Sequence, residues 1–484
     1  MDDVLTLDTA ALARAYAARD LDPAEVVEAH LARLEQVQPQ LNAFRTVDSD
    51  GARRAAAASA RRWADASALS PLDGVPVSVK DIVAVAGWST SSGSATTDLD
   101  LLAPEDSPPV ARLREAGAVL LGMTTTPEFG WKGMTDSPLC GVTANPWDLT
   151  RTPGGSSGGA GASLASGVGT VAFGTDGGGS IRIPASYCGL VGLKPTSGRV
   201  PQHPNDTLFG ALVAGGPLAR SVRDAATVLN ELVKPDARDP WSQPFDGRDW
   251  RMGLDDGVRG MRIGVTTTLG GAAVRDREIS DAVASTADHL ADLGAHVTEA
   301  GAVFEPLRPR FEAHWKAGFA RLLRAVPSNR HHLLDPGFRT LAETGLTVDL
   351  DDIYAAQAAR TELAATMRAL HLGLDVLLTP TMPSLPPPTD TVYHSDGFDR
   401  WADAVPFTLP FNLTGQPAAS MPVAVSGSGL PIGVQLVASH HREDLVLRVA
   451  RAVESSTGFA QPHPRLLAAM ADWEAAVSRS GAPR

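Results

Sequence analysis

The chain has 484 residues, and 42 lysines and arginines against 55 aspartates and glutamates give it a formal net charge of −13. This acidic balance provides no electrostatic footprint for a nucleic-acid backbone, and no basic amphipathic stretch marks a membrane-binding surface. Hydrophobic residues make up 43% of the chain, enough for a sizeable core, which excludes a mainly disordered protein.

The cysteine count and the apolar runs bear on the compartment. Only Cys140 and Cys188 occur, which excludes a disulfide scaffold and favours a reducing environment. The N-terminus opens with two acidic residues and lacks the cationic and apolar stretches of a secretion signal. Every apolar run is far shorter than the ~20 residues of a membrane-spanning helix. We therefore expect a soluble, cytoplasmic protein.

Residues 1–70 predict helices. Asp22 and Pro23 are typical of a helix start, with the aspartate as N-cap and the proline at the first helical position. Pro39 is expected to end this helix, and an exposed Ala/Arg-rich helix is expected over 51–66. One apolar face of the first helix carries Val27, Leu31 and Leu34.

From about residue 72 helices and strands alternate, which indicates an α/β architecture. A strand over 75–79 ends at Lys80, a helix follows over 110–117, and a strand follows that over 118–121. Further predicted strands are 168–174, 261–265, 375–379, 420–425 and 432–437, with a helix over 442–456. Two long connections, the turn-rich 234–260 and the proline-rich 380–400, separate these elements.

Residues 154–180 contain eleven glycines, where the chain average predicts about 2.6. A flexible linker is the usual meaning of such composition, but here apolar, strand-like residues 168–173 and 181–193 bracket the glycines, and Asp176 is the only charge. Dense glycine in a buried segment indicates backbone brought close to another group. Phosphate-binding glycine patterns are absent. Gly177-Gly178-Gly179-Ser180 instead places unhindered N–H groups before a serine, as an oxyanion hole requires.

A second interpretation uses the same segment. Gly154–Gly158 matches the G-x-S-x-G nucleophile elbow, which implies a Ser-His-Asp hydrolase. The residues before it do not predict the strand that an elbow needs. Because histidines occur downstream, this alternative stays open; they are His371, His394, His440 and His441.

Several long motifs in order resemble the amidase signature family of serine hydrolases. They are Val77–Asp81 (VSVKD), Asn145–Trp147 (NPW), Gly154–Gly159 (GGSSGG), Gly174–Pro184 (GTDGGGSIRIP) and Cys188–Thr196 (CGLVGLKPT), with weaker similarity in Leu377–Thr381, Pro410–Ala418 and Leu430–Leu436. The resemblance covers most of the chain. It implies one α/β domain with a central mixed, twisted β-sheet flanked by α-helices.

The resemblance also implies a domain organisation and a Ser–cis-Ser–Lys triad. Residues 1–70 are N-terminal helices on the core, 71–233 the catalytic core, 234–410 a variable substrate-covering region, and 411–484 the completing strands and helices. Carried over residue by residue, Lys80 is the base, Ser156 the bridging serine on a cis peptide after Gly155, and Ser180 the nucleophile.

The backbone of Gly177, Gly178, Gly179 and Ser180 is expected to form the oxyanion hole. Gly177 departs from the family, which usually has threonine or isoleucine there. We expect Ser157 to support the triad through hydrogen bonds, and Asp176 with Arg182 to form a buried pair that positions the loop.

Elementary chemistry gives these roles a reason. A serine needs a base to take its proton, and a lysine is such a base only when burial lowers its pKa. Outside its motif, Lys80 would be interpreted as an ordinary surface lysine after a strand. Cys188, in an apolar stretch, is expected in the core.

The substrate pocket is expected at Phe129, Gly130, Trp131, Met134 and Thr135, although core aromatics are an equally good interpretation of this stretch. Its other side is expected to be closed by Tyr393, Trp401 and Phe407. An aromatic cleft favours apolar or aryl amides, with carbamates and esters as further substrates. The resemblance implies no metal and no organic cofactor, and the expected state is a monomer or homodimer with no nucleic-acid or membrane partner.

The alternative function is the glutaminase A subunit of a tRNA-dependent amidotransferase, which shares the triad but works inside a complex. Its pocket must bind the α-carboxylate and α-amine of glutamine, for which Arg360 and Asp403 lie in suitable segments. The aromatic surroundings argue against it.

Overall fold

The computed structural model describes residues 2–204, 209, 212–304, 312–391, 404–459 and 463–480. The strands found there are β1 Phe44–Val47, β2 Pro76–Lys80, β3 Val119–Thr124, β4 Asp136–Ser137, β5 Gly141–Val142, β6 Val171–Asp176, β7 Val191–Lys194, β8 Ala214–Ala219, β9 Arg262–Val265, β10 Thr268–Leu269, β11 Ala272–Ala273, β12 His296–Glu299, β13 Val376–Pro380, β14 Ala418–Val425 and β15 Pro431–Ala438.

The helices within the same residues are α1 Asp2–Thr6, α2 Thr9–Ala18, α3 Pro23–Leu41, α4 Ser49–Ala64, α5 Pro108–Glu115, α6 Gly158–Ala165, α7 Arg182–Cys188, α8 Val222–Leu232, α9 Arg277–Asp292, α10 Glu312–Ala325, α11 Pro336–Thr344, α12 Leu350–Gly373, α13 Leu409–Thr414, α14 Glu443–Thr457 and α15 Pro464–Ser480. Short 3-10 turns lie at Glu128–Gly130, Ser328–Leu333 and Gly345–Thr347. Over these ranges, each helix lacks the length or the apolarity needed to cross a membrane.

One mixed sheet of eleven strands organises the molecule, in the order β1-β3-β2-β6-β8-β7-β14-β15-β13-β9-β12. Strand β2 runs parallel to β3 and β6, while β6 with β8 and β14 with β15 are antiparallel. Each quarter of the chain contributes strands to this sheet, with β1 from the N-terminal region. The predicted single α/β domain with a mixed sheet is therefore confirmed.

Strands β2 and β6 lie side by side in the interior of the sheet and are buried on both faces. Every residue of β2 is buried, and Val77, Val79 and Phe173 belong to the largest hydrophobic core cluster. Such near-continuous burial is typical of parallel strands covered by helices on both sides. Since β2 and β6 are parallel and Val79 pairs with Phe173, the chain leaves both strands at the same edge of the sheet.

Four local expectations need correction. Helix α3 continues through Pro39 to Leu41 because that leucine is fully buried and the amide of Asn42 bonds to the Gln38 carbonyl at 2.8 Å. Residues 44–47 form β1, which pairs with β3. Residues 182–188, strand-like by composition, are helix α7. The helix over 51–66 is α4, and it packs one face inward, burying Ala52, Ala56 and Ser59.

The glycines of residues 154–180 are required by close packing. A Cβ on Gly155 would lie 2.5 Å from the Met134 carbonyl oxygen, and one on Gly159 would lie 2.5 Å from the Ala43 carbonyl oxygen. Real Cβ atoms do not approach backbone so closely, so only glycine fits at these two positions. All of α6 is buried. This segment is a packed part of the core, and the linker interpretation is wrong.

Candidate active site

Lys80 ends strand β2 and is fully buried. Its Nζ donates to Ser156 Oγ at 2.7 Å and to Thr175 Oγ1 at 3.0 Å. Both partners are neutral hydroxyl groups, and among the described residues no carboxylate is bonded to the amine. The surface-lysine interpretation of Lys80 is wrong, because the side chain has no contact with solvent.

The environment of Lys80 favours its neutral form. Burial lowers the pKa of Lys80 to about 7, although the negative charge of Asp176 opposes the shift. An ammonium group without a bonded carboxylate is costly in such surroundings, which is why the proton is lost so readily. Close to neutral pH, a large fraction of the amine is therefore able to accept a proton.

Ser156 lies at the turn that leads into α6. The peptide bond between Gly155 and Ser156 is cis. The turn is held from both sides: Thr135 Oγ1 donates to the Gly154 carbonyl at 2.8 Å and accepts from the Gly158 amide at 3.2 Å. Ser157 connects the turn to the loop that contains Ser180, since its amide donates to the Ser180 carbonyl at 3.1 Å. Thr135 and Ser157 thus orient the backbone around Ser156.

The loop from Gly177 to Ser180 follows β6 and is shaped by Asp176. The Asp176 carboxylate accepts from the amide of Gly179 at 2.7 Å and from the amide of Ile181 at 3.2 Å. The Gly179 amide, expected in the oxyanion hole, is therefore engaged with Asp176 in this structure. The amides of Gly177, Gly178 and Ser180 are the remaining candidates for oxyanion donors.

Asp176 and Arg182 form the buried pair that the sequence predicts. The Arg182 Nε and one terminal nitrogen each lie 2.9 Å from a different carboxylate oxygen of Asp176, and both residues are fully buried. Burial by itself would raise the pKa of the Asp176 carboxyl, but the Arg182 guanidinium holds it well below its usual range. The carboxylate is thus permanently charged and can keep the loop amides in place.

The Asp176–Arg182 pair is tied to distant parts of the chain. Arg182 also donates to Asn412 Oδ1 and Gln435 Oε1, both at 2.6 Å, and to the Thr408 carbonyl at 2.9 Å. The Asn412 amide nitrogen returns a bond to Asp176 at 2.9 Å. Every polar atom of this cluster therefore has partners, as a stable buried charge network requires.

A cavity of about 660 Å³ opens over these groups, and Ser156, Thr175 and Ser180 contribute to its wall. The rest of the wall is mainly apolar. Its large apolar residues are Ile82, Val83, Leu101, Leu102, Phe129, Phe173, Ile183, Phe209, Val213, Trp315, Leu322 and Val405. This size and lining suit a small organic substrate.

The structure brings only part of the predicted substrate pocket to this cavity. Phe129 and Gly130 line it, whereas Trp131, Met134 and Thr135 do not. Trp131 packs in a hydrophobic core cluster, where 2% of its surface is exposed. The backbone of Met134 supports the Gly155 turn. The prediction is wrong for these three residues. The chain turns sharply at Phe129 and Gly130, which both have positive φ, and beyond the turn Trp131, Met134 and Thr135 are buried in the protein while Lys132 and Gly133 line the cavity.

The structure also bears on the residues that were expected to close the other side of the pocket. Phe407 is fully buried and does not line the cavity, and Tyr393 and Trp401 lie outside the described residues. Sequence reasoning missed Thr175, which the GTDGGGS motif includes and which bonds to Lys80. It also missed Phe209, Trp315 and Leu322. These residues lie outside the motifs, the last two on α10, and nothing in their local sequence indicates that they reach the cavity.

The nucleophile-elbow interpretation receives no support from the geometry. No strand leads directly into Ser156, because residues 143–155 form none and the preceding strand is the two-residue β5. The Ser156 hydroxyl is bonded to Lys80, not to a histidine. His440 bonds to the Thr414 carbonyl and His371 to the Leu374 carbonyl, away from the cavity, and His394 lies outside the described residues.

Comparison with known proteins identifies the family of the chain. The family model described as Amidase matches residues 25–447. An acylamidase of Rhodococcus erythropolis is 34% identical, over 95% of this chain and 97% of the relative. The glutamyl-tRNA(Gln) amidotransferase A subunit of Synechococcus sp. strain CC9902 is also 34% identical, over 92% of this chain and 95% of the relative.

Among solved structures, a bacterial aryl acylamidase of the amidase signature enzymes superposes with a TM-score of 0.87 at 30% identity, covering 95% of this chain and 98% of that one. The chain belongs to the amidase signature family. The resemblance noted in the sequence is confirmed, and the chain is an amidase-type serine hydrolase.

Proposed function

We propose that this protein is an acylamidase that cleaves the C–N bond of apolar or aryl amides, with carbamates and esters as further substrates. The observation that carries the proposal is the 2.7 Å bond from Lys80 Nζ to Ser156 Oγ, at the floor of an apolar cavity whose wall includes Ser180. A relay and a nucleophile, Ser156 and Ser180, thus face the space where an apolar substrate fits, and the buried proton acceptor Lys80 is bonded to the relay.

The proposed reaction runs through an acyl-enzyme. Ser180 Oγ attacks the amide carbonyl while its proton passes to Ser156 and the Ser156 proton passes to neutral Lys80. Backbone amides of Gly177 and Gly178 stabilise the oxyanion. The C–N bond then breaks, and the leaving amine takes a proton back through Ser156. Water repeats the sequence on the acyl-enzyme, which releases the acid and restores Ser180.

The charges in the cavity wall favour this function over the glutaminase alternative. Glutamine needs a cation for its α-carboxylate. Lys132 is the only lysine or arginine among the lining residues that the structure describes, and it is already paired with Asp136 at 2.6 Å and Asp335 at 3.2 Å. Arg360 is not in the wall, since it donates to the Leu413 carbonyl, and Asp403 lies outside the described residues.

Labelling with a fluorophosphonate followed by peptide mapping tests the nucleophile. We expect one adduct, on Ser180, which the Ser180→Ala variant loses. An adduct on Ser156 or Ser157 would support a nucleophile elbow instead. Absence of any adduct on the folded chain would contradict a serine mechanism.

Turnover by the purified chain alone tests the substrate class. We expect hydrolysis of aryl amides such as acetanilides without any partner protein, and no release of ammonia from glutamine. Ammonia release from glutamine without anilide hydrolysis would favour the glutaminase function.

A further inference from the structure

The mouth of the active-site cavity carries two adjacent leucines in contact with solvent. Leu101 is 74% exposed and Leu102 is 53% exposed, and both line the same cavity as Ser156 and Ser180. A single exposed leucine needs no explanation. Two neighbouring ones at the entrance of an apolar cavity form a surface that is typical of ligand binding.

Backbone hydrogen bonds hold these leucines in place. The Ala103 amide donates to the Trp88 carbonyl at 2.9 Å, and the Gly87 amide donates to the Ala103 carbonyl at 2.9 Å. The Leu101 amide closes a turn onto the Asp98 carbonyl at 3.3 Å. The exposure of the two leucines is thus set by a backbone that pairs with residues 86–89.

Four acidic residues lie near the leucines in the chain, Asp98, Asp100, Glu105 and Asp106, and the last two are ion-paired. Glu105 lies 2.9 Å from Arg238, and Asp106 lies 3.0 Å from Arg114. Glu105 and Asp106 thus already have cationic partners on the protein, while Asp98 is a further acidic residue of the cavity wall. The same wall includes Val83 and Ile82, and the Ile82 side chain lies beside Gly130 together with Ser156 Oγ.

We propose that Leu101 and Leu102 determine substrate specificity by selecting amides with an apolar chain long enough to reach from Ser180 to the cavity mouth. This inference rests on the proposed acylamidase function and specifies its substrate class. Burying the outer part of such a chain against the leucines removes apolar surface of both partners from water. Longer chains therefore bind more tightly, whereas an acetyl or methyl group does not reach the leucines.

The test compares Leu101→Ser/Leu102→Ser with the wild-type enzyme on two series of amides. One series extends the acyl group (acetyl, hexanoyl and dodecanoyl anilide), and the other extends the amine (N-methyl, N-hexyl and N-dodecyl acetamide). The control is Leu350→Ser/Leu372→Ser on α12, where the leucines are 74% and 82% exposed but do not line the cavity.

In the wild type, kcat/KM should rise with chain length in at least one series. The cavity variant should lose about tenfold or more on the longest member of that series and stay within about twofold on the shortest, while the control changes neither. Equal effects on short and long substrates, or no effect, would overturn the inference and leave the acylamidase function standing. No hydrolysis of any amide by the wild type would overturn both.

Discussion

The Lys80 amine sits among hydroxyl groups, out of contact with solvent, and the nearest negative charge that acts on it is that of Asp176. Two opposing effects determine its protonation. Burial disfavours the ammonium form and Asp176 favours it, and burial is the larger effect. The lowered pKa of Lys80 therefore depends on this one side chain and its immediate surroundings.

This protonation predicts the pH dependence of turnover. Neutral Lys80 is the active form and its pKa is lowered to about 7, so kcat/KM for a neutral anilide should fall about tenfold per pH unit below about pH 7 and level off above it. Initial rates from about pH 5 to about pH 9, with folding checked by circular dichroism, measure this. A profile flat down to about pH 5, or one still rising at about pH 9, would contradict the role of Lys80.

The proton relay predicts a difference between amides and esters. In Ser156→Ala the path between Ser180 and Lys80 is interrupted, and an amine leaves only when it receives a proton. We expect kcat/KM to drop about 10²–10⁴-fold for anilides and much less for activated nitrophenyl esters. Ser163→Ala is the matched control, because Ser163 is a buried serine in α6 whose hydroxyl donates to the Ala160 carbonyl. Equal losses on both substrates would argue against the relay.

Among the secondary-structure elements, the Asp176–Arg182 pair joins the end of β6 to the start of α7, and through Asn412 and Gln435 to α13 and β15. Neither helix is long: α7 has seven residues and α13 has six. Elements this short have little stability of their own. The buried charge network therefore fixes the positions of elements that surround the loop that contains Ser180.

Breaking the pair should destabilise the fold. Arg182→Met leaves the Asp176 carboxylate buried without its counter-charge, which costs about 3–5 kcal/mol in the free energy of unfolding. The double variant Asp176→Asn/Arg182→Met removes both charges and should recover part of that loss. Denaturant unfolding of both variants measures the difference. A loss below about 1 kcal/mol in Arg182→Met would show that the pair does not hold these elements.

For the whole molecule, the cavity depends on segments far apart in the chain. Trp315 of α10 packs against Gly177, and a Cβ on Gly177 would lie 2.8 Å from its ring. Residues Trp315, Leu322 and Val405, all from the region 234–410, line the cavity. The missing side chain at Gly177, where the family usually has threonine or isoleucine, is what makes room for this tryptophan.

This contact predicts the effect of Gly177→Ala. Since φ at Gly177 is not positive, alanine is allowed there and its effect is steric. The methyl group should displace the Trp315 ring and lower kcat/KM for aryl amides about tenfold, with overpacking of about 1–3 kcal/mol. Trp315→Phe in the same chain should restore part of the activity.

Gly373→Ala serves as control, because a Cβ there meets open space. Activity in Gly177→Ala equal to that of the control would contradict the steric coupling between these two segments.

From the sequence, the alternation of helices and strands predicts the fold class, and the resemblance to the amidase signature family implies the candidate triad. Alternating elements follow from local periodicity, and Lys80, Ser156 and Ser180 stand in motifs whose residue types the chemistry requires. The glycines of residues 154–180 also predict close packing, because a residue without a side chain lets another group approach its backbone.

The surroundings of that site depend on tertiary packing. Trp131 is in the core and Trp315 in the cavity, although both are buried tryptophans with no local feature that separates them. Leu101 and Leu102 gain their place at the cavity mouth from backbone pairing with residues 86–89, which their own sequence does not encode. The lowered pKa of Lys80 likewise depends on the helices and strands that exclude water. Side-chain packing is a long-range property, and it decides which residues face a shared cavity.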